Sequence, residues 1–511
     1  MKNPVITAIF DYVIELSGKY NYKQNQIFKL KNKDLEVHML LISATGDKAY
    51  CLASKGLGEI IVGQEVSELK ASNLAKTPLD VYGKIIDINS QVLFPQDATL
   101  GSESYQVEHE IFNSNNKLLD FRPLSEQLYT GYINIDLLIP IGKGQRELII
   151  GDRKTGKTFI ALNTIINQKG KNVKCIYVSI GQQKEQVSAA YKILKDNGAL
   201  DYTFIIDASS SSPYEQYLAP YVAMAHAENI SMTDDVLIIF DSLTNHANVV
   251  REIALLINKP VGKEAFPGDM FYTHSKLLER SGKFLGRKSI TALPIIQTIE
   301  NDITSLIASN VISITDGQIV TNSDLFASGK IPAVDIQLSV SRIGGNVQKP
   351  YIAKVASEIG KLYKSYKRQI NLASLKYDLN DSLKTLLSNG AIAESMFIQK
   401  GVSSYSEEVM FLTSKLVTWG ILNGISDIQL ALKFIDLFIH HDKLAFQIFQ
   451  NLLANKQKSD ELARNFFKFA LFEFAKANNL NWNIELNSKE EFTPIDHELI
   501  SKISKLLVEV K

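Results

Sequence analysis

A glycine-rich loop between a predicted strand and a predicted helix constrains this chain more than any other feature. Residues 151–158, Gly-Asp-Arg-Lys-Thr-Gly-Lys-Thr, match the pattern G-x-x-x-x-G-K-[ST] in full. The loop directly follows the apolar run Glu147–Ile150 and opens a helical pattern from Phe159 to Asn167. Glycine lets the backbone approach a phosphate closely, and the loop N–H groups converge on the anion with the amino end of the helix. The sequence therefore predicts a phosphate-binding loop.

The loop residues predict a nucleotide site that holds ATP or ADP with Mg²⁺. Lys157 is predicted to reach the β- and γ-phosphates, and the Thr158 hydroxyl is predicted to ligate Mg²⁺. Gln145, a few residues before the loop, is a further candidate for nucleotide contact. The remaining loop residues are predicted to surround the phosphates: Gly151, Asp152, Arg153, Lys154, Thr155 and Gly156.

A second magnesium ligand is predicted at the end of a buried strand. The run Val236–Phe240 is wholly apolar, which indicates a strand of a parallel sheet that is covered on both faces. Asp241 follows this run directly. Because ligands of such sheets bind at the carboxyl ends of the strands, the Asp241 carboxylate is expected beside the phosphates.

The periodicity along the chain predicts a multidomain protein with three parts. Residues 1–74 form short strands that are broken by Gly, Asn and Asp turns, as in a small β-barrel. Residues 75–350 alternate short apolar strands with helical segments, as a central RecA-like α/β P-loop domain requires. Residues 351–511 have a helical period and are predicted to form a C-terminal α-helical domain.

Charge and hydropathy limit the partners and the location. Lys plus Arg and Asp plus Glu both number 55, so there is no electrostatic reason to expect nucleic acid or anionic lipid as a main partner. No run reaches the ~18 apolar residues that span a bilayer, and Met1–Ile6 lacks the apolar core of a secretory signal. We predict a cytoplasmic protein without direct membrane insertion. Any link to the inner face of the cell membrane would run through partner subunits.

Five motifs resemble those of the alpha subunit of F-type rotary ATP synthases. They are IGKGQRE at 141–147, KEAFPGD at 263–269, HSKLLER at 274–280, ISITDGQ at 312–318 and PAVDIQLSVS at 332–341. The chain is also rich in Lys, Asn and Ile and has only nine arginines. In this it resembles the divergent synthase-like paralogues of some wall-less bacteria, whose genomes are AT-rich.

The resemblance implies an architecture and an assembly. The fold it implies is a β-barrel crown, a central nucleotide-binding domain and a C-terminal helical domain. It further implies a hexameric ring in which three copies of this chain alternate with three catalytic beta-type subunits around a central shaft subunit. Neither the ring nor its partners follow from composition or periodicity.

A glutamine shortly after the strand that follows the loop predicts that this chain binds nucleotide without hydrolysing it. Hydrolysis needs a group that deprotonates the attacking water, and the resemblance implies a glutamate for it in beta subunits. Here the position is Gln182, as in alpha subunits. A neutral amide accepts no proton near pH 7, so this chain is predicted to be mainly non-catalytic within an ATP-hydrolysing or ATP-synthesising complex. The alternative stays open, because some GTPases orient water with Gln and Glu185 is a nearby carboxylate.

Arg342 directly follows the last of the five motifs. The resemblance implies that it reaches across the subunit interface and contacts the phosphates bound to a catalytic neighbour. A planar guanidinium suits this role because it pairs with two phosphate oxygens as charge spreads over them. The alternative is a structural arginine that is bonded to nearby carbonyls.

Two other functions compete with this prediction. A hexameric nucleic-acid translocase of the termination-helicase type shares the ATPase core and an N-terminal barrel. Residues 1–70, however, hold nine Lys against eight Asp plus Glu, so the basic groove that binds a strand is missing. A purely structural ring subunit would have lost nucleotide binding, and the intact loop and Asp241 argue against it.

Overall fold

The computed structural model describes residues 3–30, 37–54, 58, 60–69, 73–113, 118–373, 381–454, 460–486 and 492–509 of the 511-residue chain. By compactness the chain divides into two units. The first unit consists of Met1–Thr130, Pro140–Gly329 and Ala333–Val347. The second consists of Gly131–Ile139, Lys330–Pro332 and Gln348–Lys511.

The described strands all lie in the first unit. In chain order they are β1 (Val5–Phe10), β2 (Val13–Ser17), β3 (Ile27–Leu30), β4 (His38–Ala44), β5 (Lys48–Ala53), β6 (Val66–Glu68), β7 (Leu74–Ala75), β8 (Ile85–Ile86), β9 (Val92–Phe94), β10 (His109–Glu110), β11 (Gln127–Leu128), β12 (Ile141–Gly142), β13 (Leu148–Gly151), β14 (Val173–Ile180), β15 (Thr203–Ala208), β16 (Asp235–Asp241), β17 (Ile290–Gln297), β18 (Gly317–Thr321) and β19 (Val340–Ser341).

The described helices fall into both units, with α2 to α8 in the first and the others in the second. In chain order they are α1 (Ile133–Leu138), α2 (Lys157–Ile166), α3 (Lys184–Asp196), α4 (Pro213–Ile230), α5 (Leu243–Leu256), α6 (Met270–Leu278), α7 (Leu306–Ile314), α8 (Ser323–Ala327), α9 (Pro350–Ala373), α10 (Asp381–Met396), α11 (Glu407–Thr418), α12 (Ile428–His441), α13 (Lys443–Leu453), α14 (Glu461–Ala477) and α15 (His497–Glu509).

The first six strands form an antiparallel sheet in the order β1-β2-β5-β4-β3-β6. Their inward residues make a separate apolar core around Phe28. The Ile6 N–H donates to the Gln64 carbonyl at 2.9 Å, and the Val66 N–H donates to the Pro4 carbonyl at 2.9 Å. The last strand of the sheet thus returns to the first. This confirms the predicted β-barrel character of the N-terminal region.

The central sheet has nine strands in the order β19-β18-β13-β17-β16-β14-β15-β8-β9. The seven from β18 to β8 are parallel, and β19 and β9 are antiparallel at the two edges. The inner strands are almost continuously apolar because helices cover both faces. All carboxyl ends of the parallel strands meet at one edge, so β13 and β16 bring residues 151–158 and Asp241 together there. The predicted α/β nucleotide-binding domain is confirmed.

The second unit is helical and packs around aromatic side chains. Asp427 caps α12, accepting the Leu430 N–H at 2.9 Å, and the helix buries Phe434 and Phe438. The Phe434 ring stacks on Phe474 of α14 with centroids 4.1 Å apart. The predicted C-terminal α-helical region is confirmed.

The division into 1–74, 75–350 and 351–511 stays a prediction. Compactness places Gly131–Ile139 and Lys330–Pro332 with the C-terminal helices, a grouping that no local period in the sequence indicates. Within the described part of the chain, no helix is both long enough and apolar enough to cross a membrane.

Candidate nucleotide-binding site

The phosphate loop needs glycine at two points. Gly151 ends β13, and a Cβ atom there would collide with the hydroxyl and the carbonyl of Thr321 on the adjacent strand β18. Gly156 precedes α2 in the left-handed region, with φ 90°. The turn between them therefore begins α2 with its free N–H groups beside the loop, as an anion site requires.

Asp152 fixes the loop to the end of β17. Its carboxylate accepts the Thr298 hydroxyl at 2.6 Å and the Asn301 N–H at 2.9 Å. Its carbonyl accepts the Thr155 hydroxyl at 2.8 Å, and Thr155 also contacts the Thr321 hydroxyl at 2.7 Å. The Asp152 side chain thus faces the protein and holds the loop in shape, whereas the sequence predicted it among the residues that surround the phosphates.

The Lys157 ammonium lies inside the loop. It donates to the Asp152 carbonyl, and its side chain is buried. Burial lowers the pKa of Lys157 to about 8, while the negative charges of Asp241 and Asp152 oppose this shift. The negative charges of Asp241 and Asp152 compensate this buried ammonium only in part. A bound phosphate would supply the remaining negative charge.

Asp241 ends β16 and lies within hydrogen-bond distance of Thr158, the residue after Lys157. Its Oδ2 accepts the Thr158 hydroxyl at 2.7 Å and the Tyr177 hydroxyl at 2.8 Å. Burial raises the pKa of Asp241, and hydrogen bonds from Thr158, Tyr177 and Gln182 and the charge of Lys157 oppose the shift. A buried carboxyl group beside a lysine is a site where a bound cation strongly favours the ionised form.

The oxygen atoms at this edge of the sheet fit a magnesium ion. Mg²⁺ prefers oxygen ligands and usually takes one or two from protein, the rest coming from phosphate and water. Thr158 and Asp241 offer a hydroxyl and a carboxylate side by side. The described residues hold no group of three His, Cys, Asp or Glu that could bind a metal ion.

Gln182 points its amide at the same carboxylate. It follows β14 by two residues, and its Nε2 donates to Asp241 Oδ1 at 3.0 Å. Gly181, with φ 63°, makes this turn, and a Cβ atom there would lie 2.5 Å from the Gln216 side-chain oxygen. Glu185 is exposed in the first turn of α3. The group beside the Asp241 carboxylate is therefore a neutral donor.

The other predicted site residues lie in two places. Arg153 and Lys154 are exposed at the tip of the loop, and Lys154 has φ 61°. Gln145 is fully buried at the opposite end of β13. There it accepts the Gly142 N–H at 2.7 Å and donates to Glu147 at 2.6 Å. The structure therefore does not bring Gln145 to the phosphate loop.

Arg342 also lies at this opposite edge. Its guanidinium is exposed and donates to the Thr315 carbonyl at 2.8 Å and the Ile312 carbonyl at 3.3 Å, at the end of α7. Its backbone N–H donates to the Asp316 carbonyl at 2.8 Å. These are the carbonyl contacts of the structural alternative. They use two of the five guanidinium N–H groups.

The sequence did not indicate the residues that hold Asp152 and Asp241 in place. Tyr177 holds Asp241, and Thr298 and Asn301 hold Asp152. None of them belongs to a motif, and each acts across strands that are distant in sequence. Tyr177 gives the one usable signal, because a tyrosine in a buried, mainly apolar strand needs a partner for its hydroxyl.

Comparisons with known proteins identify a family and several named relatives. The family described as ATP synthase alpha/beta family, nucleotide-binding domain, matches residues 131–341. "ATP synthase subunit alpha 2" of Mycoplasmopsis pulmonis is 45% identical over 459 residues, which is 89% of each chain. "ATP synthase subunit alpha 1" of the same organism is 40% identical over 444 residues, 84% of this chain and 81% of the relative. "ATP synthase subunit alpha" of Lactobacillus delbrueckii subsp. bulgaricus is 35% identical over 486 residues, 93% of each chain.

Proposed function

The chain belongs to the ATP synthase alpha/beta family, which confirms the resemblance seen in its motifs, including that to the mollicute paralogues. From this premise we propose that it is an alpha-type subunit of a hexameric rotary ATPase. In this role it binds ATP or ADP with Mg²⁺, hydrolyses it negligibly, and lends Arg342 to a neighbouring catalytic subunit. Three copies alternate with three beta-type subunits around a shaft subunit, and partner subunits provide any link to a membrane.

The Gln182–Asp241 contact carries this proposal. The loop, Lys157 and the Thr158–Asp241 pair supply what a Mg·nucleotide needs for binding. Hydrolysis needs a proton acceptor at the position of Gln182. Gln182 instead donates an N–H at 3.0 Å to the carboxylate of Asp241, the proposed magnesium ligand. The site is therefore complete for binding and incomplete for attack by water.

Each group at the loop has a defined task in binding. Lys157 would pair with the β- and γ-phosphates, and the N–H groups at the start of α2 would cradle them. Thr158 and Asp241 would hold Mg²⁺, which neutralises phosphate charge when bound. Asp152, fixed by Thr298, keeps the loop in the open turn that this binding requires.

The position of Arg342 supports a role in another subunit's site. In β18, Gly317 pairs with Ser341, the residue before Arg342, while Thr321 at the other end contacts Gly151. The four steps between these ends span about 13 Å of strand. Arg342 thus lies at the edge of the sheet opposite to its own phosphate loop. In the ring that we propose, the phosphates that it contacts belong to a neighbour.

Nucleotide titration of the isolated chain tests the proposed binding without hydrolysis. We expect saturable binding of radiolabelled Mg·ATP with negligible release of phosphate. Steady turnover at rates of order 1–100 s⁻¹, typical of enzymes that transfer phosphoryl groups, would contradict the non-catalytic assignment. Failure to bind would favour the purely structural ring subunit.

Native mass spectrometry of the complex purified from its source tests the assembly. We expect a hexamer of two chain types, this chain and a beta-type partner, together with a shaft subunit. A stable homohexamer of this chain that hydrolyses ATP would contradict the proposal. ATPase activity that single-stranded nucleic acid stimulates would favour the translocase.

A further inference from the structure

Glu147, directly before β13, is a buried carboxyl group that the nucleotide site does not use. The side chain is fully buried at the amino end of the strand. Burial raises the pKa of Glu147 well above its usual range, and the charge of Asp316 adds to this, while the Gln145 hydrogen bond and the Arg342 charge oppose it. The environment therefore favours a neutral carboxylic acid, within the electrostatic influence of Arg342.

Gln145 connects this acid to the segment that carries Arg342. Its Nε2 donates to Glu147 Oε2 at 2.6 Å and to the Ser341 hydroxyl oxygen at 3.2 Å. Its Oε1 accepts the Gly142 N–H at 2.7 Å, which fixes the orientation of the amide. One buried amide thus bridges the start of β13 and the residue before Arg342.

The Ser341 hydroxyl in turn holds the backbone on both sides of Arg342. It donates to the Pro140 carbonyl at 2.7 Å and accepts the Gly344 N–H at 3.1 Å. The Arg342 N–H donates to the Asp316 carbonyl at 2.8 Å, and the Asp316 carboxylate accepts the Arg146 guanidinium at 2.7 Å. Residues 341–344 are therefore held by groups that precede β13 and β18.

Glu147 also packs directly against the strand that pairs with this segment. A Cβ atom on Gly317, the first residue of β18, would lie 2.8 Å from Glu147 Oε1 and would collide with Oε2 and the Val340 carbonyl. Oε1 itself is buried without a hydrogen-bond partner among the residues that the structure describes. Glu147 therefore packs against the start of β18, the strand that pairs with the segment carrying Ser341.

We propose that Glu147 is a positioning residue for Arg342, and that through Gln145 and Ser341 it sets the direction in which the arginine leaves the subunit. This inference rests on the proposed function, in which Arg342 completes a neighbour's active site. Arg342 is exposed, so the direction of its side chain depends on how rigidly the backbone at 341–344 is held. A displacement of about 1 Å at a positioned catalytic group costs up to roughly 10²-fold in rate.

A double-mutant cycle in the assembled complex tests the inference. We expect Glu147→Ala to lower kcat about 10- to 100-fold while KM changes less than about twofold, because an arginine that acts on the transition state affects kcat. Glu147→Gln, which keeps the shape and the hydrogen bonding of the neutral acid, is expected to retain most activity. In an Arg342→Ala background, Glu147→Ala is expected to change the rate by less than about twofold.

If the Glu147→Ala complex does not assemble, the same double-mutant cycle is measured with Ser341→Ala. This variant removes only the hydroxyl that bonds to Pro140 and Gly344. Its matched control is Ser289→Ala. Ser289 is a buried serine at the same edge of the sheet, and its hydroxyl donates to Asp235 of β16 at 2.7 Å rather than to residues 341–344. We expect the control to leave kcat unchanged.

The outcomes separate the inference from the function on which it rests. Suppose that the Arg342→Ala complex is slow and that adding Glu147→Ala or Ser341→Ala lowers its rate by a further factor. The positioning role is then wrong, and the proposed function stands. A wild-type rate for Glu147→Ala and Ser341→Ala leads to the same conclusion. A wild-type rate for an assembled Arg342→Ala complex would overturn the proposed function and this inference together.

Discussion

The two ends of strand β13 hold polar clusters of opposite character. At the carboxyl end, Lys157 and the Thr158–Asp241 pair line a loop whose tip is exposed. At the amino end, Gln145 and Glu147 are fully buried and bonded to one another. The first cluster is arranged for a ligand from solution, and the second is arranged to hold its own chain.

In the proposed function, this difference lets one short strand serve two active sites. The carboxyl end presents backbone N–H groups and a cation, which is what phosphates require. The amino end exposes Arg342 and buries Gln145 and Glu147 behind it. In the ring that we propose, the first end acts within this subunit and the second acts on a neighbour. Changes at the two ends should therefore have separate effects.

The largest expected effect comes from Arg342→Ala. We expect the assembled complex to hydrolyse ATP roughly 10³-fold more slowly or worse, the scale on which arginine fingers act. Arg342→Lys should rescue little, because an ammonium keeps the charge and loses the planar contact with two oxygens. The measurement is a steady-state ATPase assay on complex whose assembly is confirmed by size.

Arg122→Ala is the matched control for this variant. Arg122 is also exposed, and its guanidinium also donates to backbone carbonyls, those of Leu119 and Phe121, at 3.3 Å each. We expect a nearly wild-type rate. An assembled Arg342→Ala complex that is as fast as the Arg122→Ala complex would leave Arg342 with a structural role alone.

Lys157→Ala is expected to weaken Mg·ATP binding by the isolated chain about 30-fold or more. Truncating one partner of a desolvated charge pair costs about 2–5 kcal/mol, and Lys157 is buried in the loop. Calorimetric titration measures the effect. Lys192→Ala, an exposed lysine on α3, serves as control and should bind normally. Unchanged affinity of Lys157→Ala would show that the loop does not hold the phosphates.

The smallest expected effect is a dependence of nucleotide affinity on pH. The pKa of Lys157 in the free site is lowered to about 8 by burial, so the lysine is mainly protonated below pH 8. Above pH 8 it must first gain a proton to pair with phosphate, and affinity should fall about fivefold between pH 8 and pH 9. Lys157→Arg keeps its charge and should flatten this dependence. Wild-type affinity that is constant over that range would contradict the assignment.

The sequence predicted the ligand end of β13 better than its buried end. Residues 151–158 and Asp241 belong to patterns that strand ends impose, so the parallel sheet brings them together without further information. The same linear reasoning placed Gln145 at the nucleotide because it is near the loop in sequence. Six residues of extended chain cover about 20 Å, and the strand carries Gln145 to the other edge.

The supporting contacts could not be predicted from one sequence. Tyr177 reaches Asp241, and Gln145 reaches Ser341, across strands whose pairing only the fold establishes. Glu147 is a charged residue type that ordinarily favours the surface, and its burial depends on β18 and β19 packing over it. The fold class could be predicted from the periodicity of apolar residues alone. These supporting roles could not, because they depend on which residues of neighbouring strands pair.

One paired measurement tests the separation of the two ends most directly. Nucleotide bound to this chain and steady-state hydrolysis are measured on the same assembled complexes carrying Lys157→Ala or Arg342→Ala. We predict that Lys157→Ala empties the nucleotide site of this chain. We predict that Arg342→Ala leaves this site filled while hydrolysis falls roughly 10³-fold or more. If Arg342→Ala instead lost nucleotide from its own chain, or retained full hydrolysis, the account of one strand serving two sites would be contradicted.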